Sequence, residues 1–220
     1  MTDASRTAIE TADWRLRTFA LYAEVRAEVE ANGPAAAHPL WVAGRDGMLA
    51  SHPASAIDPE ERSTFHGVPV TPYDPGWRFE VPIEPVDEPR RWDVETGTDG
   101  VVPFELVGRA SAPGVGSLEV WRLASYGGGL FVPVKDALAG AAGGTYGGGR
   151  YLVDTVKGAW LGGDVDALAA GADAPGRPTI VLDFNFAYNP SCAYDPAWAC
   201  PLAQAGNTLP IEVPVGERMP

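Results

Sequence analysis

Lysine is almost missing from this chain. Only Lys135 and Lys157 occur among 220 residues, and Lys and Arg together number 16 against 29 Asp and Glu, for a formal net charge of −13. A surface of that sign repels phosphate backbones, so no nucleic-acid partner is expected. It equally disfavours anionic lipid, so no membrane partner is expected. Long apolar runs are missing too. Nothing approaches the ~20 residues needed to span a bilayer. The charged first residues, with Asp3 and Arg6, hold no leader-like apolar run. The expected location is cytoplasmic. Cysteine occurs only at Cys192 and Cys200 and histidine only at His38, His52 and His66. The C-x7-C spacing is not a zinc spacing and no histidine lies nearby, so no metal is expected. In a reducing compartment both cysteines read as structural thiols.

What is present suffices for a core. Hydrophobic residues make up 45% of the sequence, enough for one domain of residues 1–220 without staples. Residues 7–31 carry apolar positions at helical spacing, in two sets: Ile9, Leu16, Phe19, Ala23 and Trp14, Leu21, Val25, Val29. Asn32-Gly33-Pro34 stops that helix. A second helix is expected over residues 39–51, with Leu40, Trp41 and Met48 inward. Asp58-Pro59-Glu60-Glu61 reads as the cap of a short third one. Residues 1–67 thus form a helical arm.

Beyond Gly67 the period changes to two. Phe79, Val81, Ile83, then Trp92, Val94, then Val102, Phe104, Leu106, and later Leu118 to Leu123, alternate with polar residues. Gly97-Thr98-Asp99-Gly100, Pro113-Gly114-Val115-Gly116 and Tyr126-Gly127-Gly128-Gly129 separate them as turns. Ile180-Val181-Leu182 reads as a buried strand and Ile211, Val213, Val215 as a last one. The fold class is α+β: N-terminal helices, then a mainly antiparallel barrel-like or sandwich core over residues 68–220. Residues 162–178, rich in Gly, Ala and Asp, read as a mobile surface insertion.

Two segments stand apart. Residues 183–217 concentrate Asp183, Asn185, Tyr188, Asn189, Cys192, Tyr194, Cys200 and Asn207 among repeated prolines, without one Lys or Arg. Such a segment folds as a rigid loop, and rigid loops line sites. The other is Tyr146-Gly147-Gly148-Gly149-Arg150-Tyr151. Its glycines free the backbone for positive φ, and consecutive N–H groups there can receive an anion beside Arg150. The bland alternative is a tight turn into a strand whose arginine pairs with a local acid. Buried acids in a base-free segment need cations from elsewhere, with Arg150, Lys135 and Arg78 the candidates, and Arg150 is expected to point inward and contact a carboxylate or amide of residues 183–189. Arg150, Tyr151, Asn185, Tyr188, Asn189 and Tyr194 are then the candidate ligand contacts, with Asp183, Cys192 and Cys200 structural. The expected ligand is small and polar or anionic. No dinucleotide or phosphate-loop pattern is present, and the cofactor is left open.

Taken together, Thr145 to Leu152, Phe184-Asn185-Phe186-Ala187-Tyr188-Asn189-Pro190, Cys192-Ala193-Tyr194, Cys200-Pro201 and Asn207-Thr208-Leu209-Pro210 resemble domain-of-unknown-function family 1684. Trp14-Arg15, Arg45-Asp46-Gly47-Met48-Leu49, His52-Pro53, Val70 to Pro75 with Arg78, Phe131-Val132-Pro133 and Gly216-Glu217 extend the resemblance over most of the chain. Ser55-Ala56-Ile57, Gln204 and the long 162–178 stretch depart from its pattern. The resemblance implies no reaction. Two classes stay open: a binding protein or enzyme with a pocket between the glycine turn and the Asn/Tyr loop, or a non-catalytic module whose signature residues lock the fold.

Overall fold

The structure, a computed structural model, describes residues 3–96, 100–163 and 178–219. The turn expected at residues 97–99 and most of the insertion expected at 162–178 lie outside the described residues.

Two helices come first, α1 (Asp3–Asn32) and α2 (Pro34–Ser51). Gly33, at φ +89°, makes the sharp corner between them. Helix α2 starts five residues earlier than expected. Pro39 lies inside it, where the missing N–H costs only one bond near the first turn. Trp41 is buried as expected, together with Ala37, His38 and Leu49, while Leu40 and Met48 are only half-buried. On α1 the buried residues are Leu21, Tyr22 and Val25. Ile9 and Leu16 are 61% and 68% exposed, so the first apolar set is not a core face. The expected third helix is a single 3-10 turn, Arg62–Thr64. Asp58 accepts the Glu60 N–H at 2.9 Å in the turn before it, but the residue at the cap of the 3-10 turn is Glu61, which makes no side-chain cap bond. No apolar face follows to carry a nucleus this short.

Among the described residues the sheet has seven strands: β1 (Arg78–Glu84), β2 (Arg91–Thr96), β3 (Gly100–Ala112), β4 (Gly116–Leu123), β5 (Leu130–Val134), β6 (Arg150–Asp154) and β7 (Thr179–Asp183). The order is β6-β5-β4-β3-β1-β7, with β2 beside the first half of β3, and every pairing is antiparallel. The sheet curls into a half-barrel, an α+β fold. Period two sorts neighbouring residues to opposite faces. Val120, Val132, Leu152 and Ile180 join one core cluster; their neighbours Trp121, Phe131, Tyr151 and Val181 join the other. Helix residues Tyr22, Val25 and Trp41 cover the second face. The chain end, through Leu209, Val213 and Val215, covers the first.

The last expected strand is therefore not one. Residues 209–215 bury alternate side chains but form no named strand. Pro210 and Pro214 remove two ladder donors, and the carbonyls of Val213 and Val215 go to Arg150 instead. Among the described residues, no helix is long and apolar enough to cross a membrane.

Candidate functional site

Buried polar side chains fasten the C-terminal segment. Asp183 ends β7 and accepts from the Asn185 N–H and Nδ2 on one oxygen, at 3.1 and 2.8 Å. Its other oxygen accepts from Arg78 Nη1 at 3.0 Å and from the Tyr73 hydroxyl at 3.1 Å. Asn185 bonds the backbone of Asp74 in both directions, at 2.8 and 2.9 Å. His38 reaches the Asn185 carbonyl at 3.1 Å, and burial holds its pKa below the ordinary value. Asn207 donates to the carbonyls of Glu119 and Pro133 and accepts from Trp121 Nε1. These groups satisfy one another and leave little for a ligand.

Glu217 works in the same way. The Arg45 fork donates to both of its oxygens, and the Asn189 N–H adds a bond of 2.7 Å. Burial alone would pull the Arg45 pKa down, but the adjacent Glu217 carboxylate carries it above its ordinary value. The guanidinium lies 4.6 Å from the centre of the Tyr188 ring.

Arg150 points inward, as expected, but its partner is different. Nη2 donates to Asp136 Oδ2 at 3.0 Å and to the Val213 carbonyl at 3.2 Å; Nη1 donates to the carbonyls of Val215 and Glu217. No atom of residues 183–189 takes part. Strand register explains this: Arg150 sits opposite Val134, two residues before Asp136. The glycine turn is closed on itself. Gly149, at φ +90°, donates its N–H to the Tyr146 carbonyl at 2.9 Å. Gly216, at φ +82°, admits the arginine, since a Cβ there would stand 2.9 Å from Nη1.

Open space lies elsewhere. A cleft of about 460 Å³ runs between the first half of α1, the face of β2 to β5 and the loop after Pro190. Its floor is Val94, Val102, Phe104, Leu123 and Phe131. Trp14 and Trp198 flank it, and Arg15, Lys157, Asp154 and Cys200 bring polar groups to its rim. A smaller pocket of about 60 Å³ adjoins it through Trp14, Arg15, Lys157 and Ser191, and Tyr151, Tyr188, Asn189 and Tyr194 line that one. Lys157 Nζ pairs with Asp154 at 3.2 Å and lies 5.4 Å from the Tyr151 ring centre. Among the described residues Arg15 forms no ion pair. No group of three or more His, Cys, Asp or Glu able to hold a metal occurs among them either.

Cys192 and Cys200 are neighbours. The Cys192 N–H donates to Cys200 Sγ at 3.4 Å. The Tyr146 hydroxyl donates to the Cys192 carbonyl at 3.1 Å and stands 3.7 Å from its sulfur. Both thiols are free and partly exposed.

Of the six expected ligand contacts, the tertiary structure gathers Tyr151, Tyr188, Asn189 and Tyr194 around the small pocket. Arg150 and Asn185 are on no pocket wall described here and are consumed by internal bonds. Reasoning from sequence missed Arg15, Lys157, Trp198 and the apolar floor. The alternation of Val94, Val102 and Leu123 carried a signal, but it reads the same for a filled core. Trp14-Arg15 stood in the family resemblance without a role.

The family model described as "Protein of unknown function (DUF1684)" matches residues 63–218. No curated protein matches the chain. Among solved structures, the solution structure of an uncharacterised protein from gene locus rrnAC0354 of Haloarcula marismortui is similar. It shares 31% identity, with 81% of this chain and 90% of that chain covered and a TM-score of 0.56. Asp183, Asn207, Glu217, the glycine turn and both cysteines lie within the matched residues, whereas His38 and Arg45 precede them, and on that match the chain belongs to the DUF1684 family.

Proposed function

We propose that this protein binds a small amphipathic carboxylate in the cleft between α1 and the half-barrel. The observation that carries the reading is the cleft itself. Its volume of about 460 Å³ falls in the range of ligand sites, roughly 300–1,000 Å³. An apolar floor of Val94, Val102, Phe104, Leu123 and Phe131 suits an aliphatic or aromatic body, and Arg15 and Lys157 on the rim suit an anionic head. Relative to the expectation from sequence, the ligand gains an apolar body and moves away from the glycine turn, because the terminal nitrogens of Arg150 are already held by Asp136 and by the carbonyls of Val213, Val215 and Glu217. Tyr151, Tyr188, Asn189 and Tyr194 then form the back wall, facing the head group through the adjoining pocket. A protein of net charge −13 attracts an anion only where positive groups concentrate. Two free thiols fit the cytoplasmic setting that belongs to this reading.

The second reading, a non-catalytic module, is favoured by the saturation of Asp183, Asn185, Asn207 and Glu217 and by the internal bonds of both Arg150 terminal nitrogens. A thermal-shift series separates the two. Straight-chain and aromatic carboxylates, run beside their matching alcohols, are expected to raise the unfolding temperature, the carboxylates more. Val102→Trp, which fills the cleft, is expected to abolish the rise. If no compound stabilises the wild type, or if stabilisation survives Val102→Trp unchanged, the module reading replaces this one.

A further inference from the structure

Nothing in the clamp system uses the two thiols. Cys200 borders the cleft, and its sulfur accepts the Cys192 N–H at 3.4 Å and shares a hydrogen bond with the Cys192 side chain. Lys157 and the Tyr151 hydroxyl act on it from the sheet side. Each of these contacts stabilises a thiolate over a thiol. Cys192 faces the opposite conditions. The bond to Cys200 favours its protonated form, and the Tyr146 hydroxyl, 3.7 Å from its sulfur, offsets this only in part. Both are partly exposed, so a small reagent has access.

We propose that Cys192 and Cys200 are a redox-active pair, with Cys200 the attacking thiolate and Cys192 the resolving thiol, that exchanges electrons with small disulfides and dithiols. In the first step the Cys200 thiolate attacks one sulfur of a disulfide R–S–S–R. The S–S bond breaks, one thiolate leaves and is protonated by solvent, and Cys200 carries a mixed disulfide. That step removes the negative charge which held the proton on Cys192. Cys192 then loses its proton to solvent, with the Tyr146 hydroxyl stabilising the thiolate, and attacks the Cys200 sulfur. The second thiolate leaves. Two cysteine thiols have been oxidised to one disulfide, and R–S–S–R has been reduced to two thiols; a small dithiol reverses the sequence. The bond closes the loop that carries Trp198, a wall of the cleft.

The groups facing the pair from every packed element are Lys157 with its partner Asp154, Tyr151 and Tyr146. The Cys192 side chain first, then its backbone N–H and Lys157, hold the Cys200 pKa down to about 6, whereas the bond to Cys200 raises that of Cys192. The chemistry does not depend on a ligand in the cleft, so it stands or falls apart from the carboxylate reading.

The test uses the intact chain with uncharged bis(2-hydroxyethyl) disulfide as oxidant and dithiothreitol as reductant, read by intact mass. Wild type is expected to lose two hydrogens and to regain them on reduction. Cys192→Ser is expected to stop at a mixed disulfide on Cys200. Alkylation of wild type by iodoacetamide, mapped by peptide mass, is expected at Cys200 first, with a rate profile whose midpoint lies near 6. An ordinary thiol, titrating near ~8.5, would retain only about 3% of its plateau rate at pH 7. The proposal is overturned if wild type forms no internal disulfide, if Cys192→Ser accumulates no adduct, or if alkylation favours Cys192 or titrates in the ordinary range. The alkylation arm needs no substitution, so misfolding of a variant does not protect the idea.

Discussion

Replacing Arg150 by methionine is the sharpest probe of how this fold is held. The substitution keeps the apolar stem and removes only the guanidinium. The site is fully buried, as is the Asp136 side chain opposite. Asp136 would keep the Thr145 hydroxyl at 3.0 Å and the Leu138 N–H at 2.8 Å, but it would lose its counter-charge. The carbonyls of Val213, Val215 and Glu217 would lose their shared donor. Breaking a buried pair from one side costs about 3–5 kcal/mol. For a chain of this size each kcal/mol shifts the midpoint by about 2–4 °C, so a fall of roughly 6–20 °C is expected. Differential scanning calorimetry measures it. Arg122→Met serves as the control, because the Arg122–Glu105 pair is solvent-exposed and such pairs contribute about 0–1 kcal/mol. Adding Asp136→Asn to Arg150→Met should recover part of the loss, since it removes the stranded carboxylate. The reasoning fails if Arg150→Met unfolds within about 2 °C of wild type, or if Asp136→Asn adds its full single-variant cost to the double variant.

Further outcomes follow from the other clamps. Asn207→Ala strands Trp121 Nε1 and the carbonyls of Glu119 and Pro133. At about 1–3 kcal/mol for a buried orphan, a urea titration should show a loss of at least ~2 kcal/mol; a loss under ~0.5 kcal/mol would mean water replaces the amide. Burial holds the folded-state pKa of His38 below its ordinary value of 6.5. Below that value the unfolded chain binds the extra proton, so the His38 contribution is present above about pH 6.5 and is lost as pH falls through the folded value. His38→Gln should flatten the acid side of the stability profile, and an unchanged slope would show that His38 is not the group responsible.

The α+β class, strands β1 to β4 and β7 and the two long helices can be read from periodicity, because alternation and the 3.6 period each commit a residue to a face. Three features cannot. The C-terminal run of Ile211, Val213 and Val215 alternates like a strand, but its fate depends on whether a partner edge or an arginine meets its carbonyls. Arg150 can be read as inward-facing from the lack of bases around it; that it meets Asp136 depends on the β5–β6 register. Ile9 and Leu16 repeat at helical spacing, yet both stay exposed on α1 while Trp14 and Arg15 of the same turns wall the cleft.

The same division holds for the site. Sequence alone determined which residues are chemically special: the Asn, Tyr and Cys cluster of the last segment, the glycine turn and the single arginine beside it. Composition and spacing are local, and they suffice for that. Tertiary structure alone decided which of them are consumed. Asp183, Asn185 and Arg150 meet partners more than ten residues away in the chain and are held there, whereas Cys200, Lys157 and Arg15 converge on open space from three separate elements. Whether a polar group is a clamp or a contact for something else depends on the bonds left over after folding. That remainder is a property of distances between remote residues, which no one-dimensional pattern contains.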